Sequence, residues 1–386
     1  MRVGIDYRPA LVNREGIGRY TRELVRGMVE HAYDGNLGLF GYTFAKRKFS
    51  LEELGLAGTR AELLRLRFPA RFTPWLMQKL SRGVDDLVGG CQVYHHTTYD
   101  RLEVREALEV STIHDCAYML DADYVSEESA AKMQAAARSL AQHARRVLVP
   151  SEYVGAEVVM HLGVYPNRVS VTGLGCDHVA RLLPPGGFEP LGRNETPYLL
   201  TVSRVDNRKN QVRALAAFER LVQEGFPHRW IVAGPAGHGS EHFERALANS
   251  PARERVEWRR FVSEEELVRL YSRAELFLFP SLHEGFGLPP LEAMACGTAV
   301  VTSCVAAMPE VCGDAAWFVE PTDVERIFEG ARRLLAEPEL RRDHELRGRQ
   351  QARKFTWRET ARHTLIAYKN ATEPEEEDGP VMRRSL

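Results

Sequence analysis

A chain of 386 residues is longer than one hydrophobic core usually supports, so we expect two domains. Hydrophobic residues make up 44% of the chain and charged residues 27%, a balance that excludes a disordered protein. The chain has no apolar run of about 18 residues, so no transmembrane helix is expected. The formal net charge of −2 provides no global basic field, so nucleic acid is not an expected partner.

The start of the chain and its cysteines indicate a cytoplasmic protein. Residues 2–6 run directly into a predicted strand, without the apolar segment that a signal peptide carries. Six cysteines are scattered along the chain with no C-x-x-C pair, which predicts reduced thiols rather than disulfides or a zinc site.

The first part of the chain alternates predicted strands and helices. The strand at 2–6 is followed by a polar loop that ends in Glu-Gly-Ile-Gly-Arg-Tyr at 15–20, and residues 21–31 show the pattern of an amphipathic helix. This loop is a weak dinucleotide fingerprint, because it lies too far from the strand and lacks the third glycine. Gly16 and Gly18 are nevertheless candidates for a close approach between backbone and ligand.

Residues 60–82 have a different character. They contain six basic residues and one acidic residue, interleaved with leucines and aromatic side chains. A stretch of this kind suits the surface of an anionic membrane. The alternative is a helix–loop–helix with its arginines in solvent and its aromatic side chains in the core. The sequence does not decide between the membrane-surface segment and the helix–loop–helix.

Two predicted strands of the first part end in polar residues, at 93–98 and at 111–115. Open α/β sheets place ligand-binding groups at such strand ends, which makes His95, His96 and His114 candidates. A lone histidine at this position is more often structural than catalytic. Further on, residues 183–197 are rich in proline and glycine and lack periodicity, which predicts a linker between domains.

A second series of strands and helices begins with a predicted strand at 198–202. The loop after it carries Arg204 and Lys209 and leads into a predicted helix at 211–224. Both side chains flank a strand-to-helix loop, so both can reach a diphosphate held over the helix N-terminus. A solvated cluster of surface charges is the alternative for either residue.

The most informative stretch is residues 280–301. An apolar strand at 275–279 precedes it, a glycine-containing loop begins it, and helix formers follow two prolines at a position where a helix tolerates them. Strand, glycine loop and helix start offer backbone N–H groups to an anionic ligand. Glu284 lies on the loop and Glu292 in the first turns of the helix, so both can face one cleft.

The string from 280 to 301 resembles, nearly residue for residue, the E-x7-E region of the family 4 glycosyltransferases, which are retaining sugar transferases. The resemblance extends over nearly the whole chain and is strongest from 198 to 321. It implies an α/β protein of the GT-B fold, with two Rossmann-like domains facing each other across a donor and acceptor cleft. The expected boundaries are an acceptor-side domain at 1–182, a linker at 183–197, a nucleotide-sugar domain at 198–355, a helix crossing back at 356–371 and a disordered tail at 372–386.

The resemblance also implies roles for individual residues. Glu284 and the Gly-Phe-Gly backbone would contact the donor sugar, Glu292 the ribose, and Arg204 and Lys209 the diphosphate. His114 would contact the donor sugar near its reacting carbon. The expected catalytic residues are Glu284, His114, Arg204 and Lys209. The expected donor-binding residues are Gly16, Gly18, Arg204, Lys209, Val262, Glu284, Gly285, Phe286, Gly287, Leu288 and Glu292.

Three positions depart from the family pattern. Arg260 stands where most relatives have glycine in the loop that holds the nucleobase, which leaves the identity of the base open. Ala299 stands where proline is common, and Cys176 where relatives usually have valine in Gly-Val-Asp.

The implied reaction is retaining transfer of a sugar from a nucleotide diphosphate to a hydroxyl of a glycan or lipid-linked acceptor. No Asp-x-Asp flanked by apolar strand residues is present, so we expect no catalytic metal and no cofactor. GDP-mannose is the preferred donor and a UDP-hexose the alternative. Two other classes are weighed against this reading: a non-catalytic nucleotide-sugar-binding scaffold, and a sugar epimerase or phosphorylase of the same fold. Residues 60–82 would supply a peripheral membrane contact.

Overall fold

The computed structural model describes residues 1–13, 16–30, 33–44, 49–67, 82–189, 191–192 and 195–374. Within these residues the chain forms two parallel β-sheets, one of seven strands and one of six. Each sheet lies between helices, so both halves are Rossmann-like α/β domains. The predicted fold class of two such domains is confirmed.

The first sheet contains only parallel neighbours, in the order β3-β2-β1-β4-β5-β6-β7. Its central strands are almost completely buried, as expected for a sheet covered on both faces. Strands β2 and β3 are added on one side of β1, and strands β4 to β7 on the other side. Its strands are β1 (Arg2–Asp6), β2 (Asn36–Tyr42), β3 (Ala61–Leu66), β4 (Val93–His96), β5 (Leu108–Thr112), β6 (Arg146–Val149) and β7 (Val169–Val171).

The second sheet repeats this plan in the order β10-β9-β8-β11-β12-β13. Its direction reverses between β8 and β11. Its strands are β8 (Tyr198–Val202), β9 (Arg229–Ala233), β10 (Val256–Arg259), β11 (Leu276–Phe279), β12 (Val300–Ser303) and β13 (Trp317–Val319).

The helices connect these strands. Those before β8 are α1 (Arg8–Val12), α2 (Gly16–Glu30), α3 (Val84–Leu87), α4 (Glu127–His143) and α5 (Glu152–Leu162). Those after β8 are α6 (Gln211–Gln223), α7 (Ser240–Ala248), α8 (Glu264–Arg273), α9 (Leu288–Cys296), α10 (Met308–Cys312), α11 (Val324–Ala336), α12 (Pro338–Ala352) and α13 (Trp357–Thr372).

The last helix, α13, packs against the first domain although it follows the second in the chain. Thr356 caps its N-terminus through the backbone N–H of Glu359. Its buried residues Trp357 and Tyr368 belong to the same hydrophobic cluster as β1 and α2. A Cβ on Gly27 of α2 would lie 2.6 Å from the carbonyl oxygen of Trp357, so glycine permits this close packing.

The structure changes two sequence-based expectations in the first domain. Helix α2 begins at Gly16 rather than at residue 21, so the Gly-Ile-Gly-Arg-Tyr string lies in its first turns instead of in a loop. Residues 61–66 form a strand rather than part of a helix–loop–helix, because they complete the edge of the first sheet beside β2. The rest of the proposed membrane segment, 68–81, lies outside the described residues.

At the C-terminus, α13 continues to Thr372, within the segment predicted as a disordered tail; residues 375–386 of that segment lie outside the described residues. The described part of the chain contains no helix that is both long and apolar enough to span a bilayer.

Candidate active site

The second domain brings two loops together where its strand order reverses. Neighbouring parallel strands β8 and β11 end at the same edge of the sheet, and a ligand crevice forms between the loops that follow them. Asn210, in a left-handed conformation with φ 62°, donates to the carbonyl oxygens of Pro280 (2.8 Å) and Pro321 (2.7 Å). Leu282 N–H donates to the carbonyl oxygen of Arg208 at 2.8 Å. These bonds fix the two loops against each other.

Glu284 is buried in this crevice beside two cations. Lys209 Nζ lies 2.5 Å from Glu284 Oε1, and Arg208 Nη1 lies 3.7 Å from Oε2. Burial alone would raise the pKa of Glu284, but Lys209 and Arg208 outweigh it and hold the pKa below its ordinary value. Glu284 is therefore an ionised carboxylate, able to accept hydrogen bonds from hydroxyl groups.

Arg204, the other predicted diphosphate ligand, is exposed on the loop that carries Lys209. A Cβ on Gly237 would collide with the side chain of Arg204, so this glycine makes room for it. The inner cation beside Lys209 is Arg208, which also donates to the carbonyl oxygen of His283 at 2.8 Å. The sequence analysis missed Arg208, although it directly precedes Lys209 in the same loop.

Glu292, on α9, is 1% exposed and has three partners. Its Oε1 accepts hydrogen bonds from Arg19 Nη1 (2.5 Å) and His178 Nε2 (3.0 Å), and its Oε2 from the Tyr271 hydroxyl (2.8 Å). Burial would raise the pKa of Glu292, but Arg19, His178 and Tyr271 together lower it to about 2. The second glutamate of the E-x7-E string is thus a firmly ionised carboxylate.

The proton on His178 can be placed from its neighbours. Trp357 Nε1 donates to His178 Nδ1 at 3.1 Å, so a neutral imidazole carries its proton on Nε2 and donates it to Glu292. Trp357 is the first residue of α13, where the chain crosses back to the first domain. His178 therefore connects this crossing point to the carboxylate of the crevice.

Sequence reasoning did not assign Arg19, His178 or Tyr271 to the site. Arg19 lies within the Gly-Ile-Gly-Arg-Tyr string, and His178 directly follows Gly-Cys-Asp. Their positions in or beside these two strings were the only sequence signal for a role in the site. No comparable signal marked Tyr271, which reaches Glu292 from α8.

Each glycine of Gly-Phe-Gly permits a close contact, Gly285 with the first domain and Gly287 within the second. A Cβ on Gly285 would collide with the carbonyl oxygen of His114, and one on Gly287 with the side chain of Met308. Gly287 also has φ 93°, a conformation that favours glycine. Phe286 is buried with its ring edge-on to Phe355, with centroids 5.7 Å apart. Leu288 is the first residue of α9 and is buried as well.

His114 approaches the crevice from the first domain. Its Nε2–H donates to the carbonyl oxygen of Thr97 at 2.9 Å, and its ring contacts Tyr20 edge-on at 4.9 Å. Burial lowers the pKa of His114, so the neutral ring presents Nδ1 as a hydrogen-bond acceptor.

His95 and His96 do not belong to the crevice. Both are fully buried in the first domain. His95 bonds through Nδ1 to the Tyr368 hydroxyl and through Nε2 to Thr112 Oγ1, both at 2.7 Å, and His96 Nε2 lies 3.0 Å from Glu109. These partners explain them as structural residues.

Gly16, Gly18 and Val262 are the remaining predicted donor contacts, and the structure gives each a different environment. Gly16 is exposed at the start of α2, with open space around its Cα, whereas a Cβ on Gly18 would collide with the carbonyl oxygen of Asn13. Gly18 therefore serves the packing of α2 on the preceding turn. Val262 is half-buried after β10. Arg260 turns away from this loop, with its guanidinium 4.1 Å from the centroid of the Trp258 ring.

The first domain closes over the crevice through several contacts. Ser151 Oγ donates to the carbonyl oxygen of Gly285 at 2.7 Å. The Glu310 carboxylate accepts the backbone N–H groups of Glu152 (2.8 Å) and Tyr153 (3.1 Å) at the start of α5. His283, next to Glu284, lies 2.8 Å from Glu157 of α5. Among the described residues, no group of three or more His, Cys, Asp or Glu side chains is arranged to hold a metal ion.

Comparison with known proteins connects this geometry to a family. Residues 188–351 match the family described as Glycosyl transferases group 1. The chain is 28% identical to O-antigen chain mannosyltransferase B of Escherichia coli, over 92% of this chain and 96% of that protein. It is 31% identical to MMP alpha-(1->4)-mannosyltransferase of Mycolicibacterium hassiacum, over 61% of this chain and 56% of that protein.

Among solved structures, sucrose-phosphate synthase from Thermosynechococcus elongatus is similar with a TM-score of 0.71, over 96% of this chain and 98% of that chain. The sequence identity is 19%, so this likeness concerns the fold alone. The predicted GT-B arrangement is confirmed.

Proposed function

We propose that the chain is a retaining hexosyltransferase of the GT-B fold, which the match of residues 188–351 to the Glycosyl transferases group 1 family supports. The donor is a nucleotide diphosphate sugar, and the acceptor is a hydroxyl of a glycan or lipid-linked saccharide. The observation that carries this proposal is the buried Glu284 carboxylate beside Lys209 and Arg208, next to Gly285, against which the His114 backbone packs from the other domain.

The cations supply the main electrostatic contribution. As the bond between sugar and diphosphate breaks, negative charge grows on the leaving phosphate, and fixed positive groups stabilise that charge most strongly where water is excluded. Lys209 and Arg208 lie beside Glu284, and Arg204 is exposed on the same loop, so we propose that the diphosphate is bound by all three. An ammonium group has three N–H donors, which lets Lys209 hold Glu284 and a phosphate oxygen together.

The carboxylates orient the donor. Glu284 is ionised and accepts hydrogen bonds from hydroxyl groups of the sugar. The Nδ1 of neutral His114 accepts a further one from the opposite side of the cleft. Glu292 takes the ribose hydroxyl groups, and His178 and Tyr271 hold its two oxygens in place.

Retention follows from attack on the face that the diphosphate leaves, with the departing phosphate accepting the proton of the acceptor hydroxyl. Glu284 is then a sugar-positioning residue and not a nucleophile, because Lys209 and Arg208 stabilise its anion and reduce its nucleophilicity. Trapping a covalent sugar adduct on Glu284 with a slow donor analogue would overturn this assignment. We further propose that the three cations make a divalent metal unnecessary.

GDP-mannose is the proposed donor, supported by two similar proteins that are named mannosyltransferases. The experiment is a proton NMR time course with methyl α-mannoside as the acceptor and GDP-mannose, UDP-glucose or UDP-galactose as the donor, each with excess EDTA. We expect release of GDP and a product with the anomeric configuration of the donor. An inverted product would refute the mechanism, and turnover of UDP-sugars alone would replace mannose by a UDP-hexose. No nucleotide release with any donor would favour the non-catalytic scaffold.

A further inference from the structure

Glu292, the carboxylate proposed to take the ribose hydroxyl groups, already accepts hydrogen bonds from several protein side chains. A carboxylate offers about four lone-pair positions, two on each oxygen. Arg19 and His178 share Oε1, and the Tyr271 hydroxyl takes one position on Oε2. Donors among the described residues therefore leave only the second position of Oε2. Two neighbouring ribose hydroxyl groups have two protons to donate, so they need one position more than remains.

Arg19 is the partner of Glu292 that is best able to leave. Tyr271 is fully buried, and the His178 ring is held on its other side by Trp357 Nε1 at 3.1 Å. Both therefore fix the orientation of the carboxylate. Arg19 instead reaches across from α2 of the first domain through a long side chain that is 13% exposed. Its Nε is buried and has no hydrogen-bond partner among the described residues, so its present position leaves one donor unused.

A second carboxylate lies within reach of the Arg19 guanidinium. Glu264, the first residue of α8, lies 3.6 Å from Arg19 Nη2, and its side chain is 55% exposed and has room to adjust. Arg22, one turn further along α2, lies 3.7 Å from the same oxygen of Glu264. A guanidinium that moves from Glu292 to Glu264 exchanges one charged partner for another, so no buried cation is left unpaired.

We propose that Arg19 is a specificity-determining residue of donor binding, whose guanidinium competes with the ribose hydroxyl groups for Glu292 and moves to Glu264 when both hydroxyl groups bind. The inference rests on the proposed function, in which Glu292 binds the ribose. A nucleotide with a single ribose hydroxyl group takes the remaining position on Oε2 without displacing Arg19. A ribonucleotide displaces it, and because α2 belongs to the first domain, ribose binding then changes a contact between the two domains.

The test measures the ratio of two dissociation constants, that of 2′-deoxy-GDP divided by that of GDP, by isothermal titration of the full chain. Arg19→Met removes the competing guanidinium and keeps an unbranched apolar side chain. The base and the diphosphate are the same in both ligands, so the lost positive charge changes both dissociation constants alike and cancels in the ratio. UDP and 2′-deoxy-UDP are titrated in parallel, which makes the test independent of the base.

Arg22→Met is the matched control. Arg22 lies on the same helix and beside the same Glu264, but it donates to the carbonyl oxygens of Ala10 and Asn13. We expect Arg19→Met to raise the ratio about tenfold, the effect of one charged hydrogen bond, because GDP no longer displaces the guanidinium. Arg22→Met should leave the ratio within about twofold of wild type.

Glu264→Gln provides a second readout with the opposite sign, because it weakens the partner that receives the displaced guanidinium. The ratio should fall about threefold, in keeping with a half-exposed pair. The exposed position tolerates the substitution, so this variant decides the proposal even where Arg19→Met does not fold.

Two kinds of failure are distinguishable. If the nucleotides bind but the ratio is unchanged in Arg19→Met and in Glu264→Gln, or rises equally in Arg22→Met, the competition is overturned and the donor site of the proposed function stands. If wild type and all variants bind none of the nucleotides, the proposed donor site is overturned, and the competition with it.

Discussion

The crevice of the second domain holds Glu284 against Lys209 and Arg208, whereas the first domain buries Asp6, at the end of β1, against a backbone N–H of Arg8. Both carboxyl groups lie at the reversal point of a parallel sheet, but their pKa values move in opposite directions. The pKa of Glu284 is held below its ordinary value by cations, while burial raises the pKa of Asp6 to about 7. The shared topology sets where a ligand binds, and the neighbouring side chains set which chemistry is available there.

The largest expected effect concerns the charged pair of the second crevice. Lys209→Ala and Glu284→Ala should each reduce the turnover of GDP-mannose by at least about a hundredfold, because a fixed group that stabilises or positions the charge of the transition state is lost. Turnover is measured from GDP release and folding from circular dichroism. Lys132→Ala is the control, since Lys132 forms an exposed pair with Glu128 on α4. Wild-type turnover in either crevice variant would reject its role.

A smaller effect is expected for the residue that holds the second glutamate. His178→Gln should raise the KM for GDP-mannose about tenfold with kcat changed less, because Glu292 loses one positioned hydrogen bond before the chemical step. His228→Gln is the matched control, because His228 pairs with Glu275 at 2.9 Å away from the crevice. A fall in kcat with unchanged KM would contradict a positioning role in donor binding.

The buried carboxyl group of Asp6 predicts a pH-dependent effect on the stability of the protein. The folded state binds a proton on Asp6 more tightly than the unfolded chain does, so wild type loses stability as the pH rises from about 4 through 7. Asp6→Asn removes this loss and should raise the melting temperature relative to wild type by roughly 2–4 °C more at pH 8 than at pH 5.

Asp85 offers the opposite case in the same domain. Its carboxylate accepts backbone N–H groups from Arg105, Glu106 and Ala107, which outweigh burial and lower its pKa. The stability that this carboxylate contributes is present above its ordinary pKa of 3.8 and is lost as the pH falls below that value, so Asp85→Asn should destabilise the protein more at pH 6 than at pH 3. If the melting temperatures of the two variants shifted in the same direction with pH, the contrast between these carboxyl groups would be wrong.

The smallest effect is expected at Arg260, which stands where most relatives have glycine in the loop that holds the nucleobase. Arg260 stacks on Trp258 and pairs with Glu244 at 2.8 Å on an exposed surface, so its side chain is directed away from the loop backbone. Arg260→Gly should change the dissociation constant for GDP less than about threefold, as is typical of exposed pairs. Isothermal titration measures this, and a tenfold change would place Arg260 in base recognition.

The sequence was informative where the contributing residues are contiguous. The alternation of strands and helices predicted both Rossmann-like domains, and the E-x7-E string and the Arg204–Lys209 loop each occupy one short segment. The partners of Glu292 could not be predicted in this way, because Arg19 is 273 residues away in the chain and reaches it only through domain closure. Adjacency alone did not show that His178 bridges Trp357 and Glu292.

The same reason explains the errors and omissions in the first domain. Residues 61–66 form a strand because they pair with β2, and the local sequence pattern does not show this pairing. His95, His96 and His114 all lie at the ends of predicted strands. Only the structure, by showing buried partners for His95 and His96, identifies those two as structural residues. Thr97, just after β4, donates a hydrogen bond to the carbonyl oxygen of Asp6 because β1 and β4 are neighbours, which sequence spacing does not reveal.

The most direct test of the account is a thermal-shift titration of wild type, Lys209→Ala and Lys132→Ala with GDP, GDP-mannose, UDP and UDP-glucose, with EDTA and with magnesium. A ligand that binds only the native state raises the melting temperature with its occupancy. We predict a shift with GDP and GDP-mannose in EDTA that Lys132→Ala retains and Lys209→Ala loses. A shift with UDP-sugars alone would preserve the crevice and replace the donor. No nucleotide shift, or one that needs magnesium or survives Lys209→Ala, would contradict a diphosphate held by the cations of the second domain.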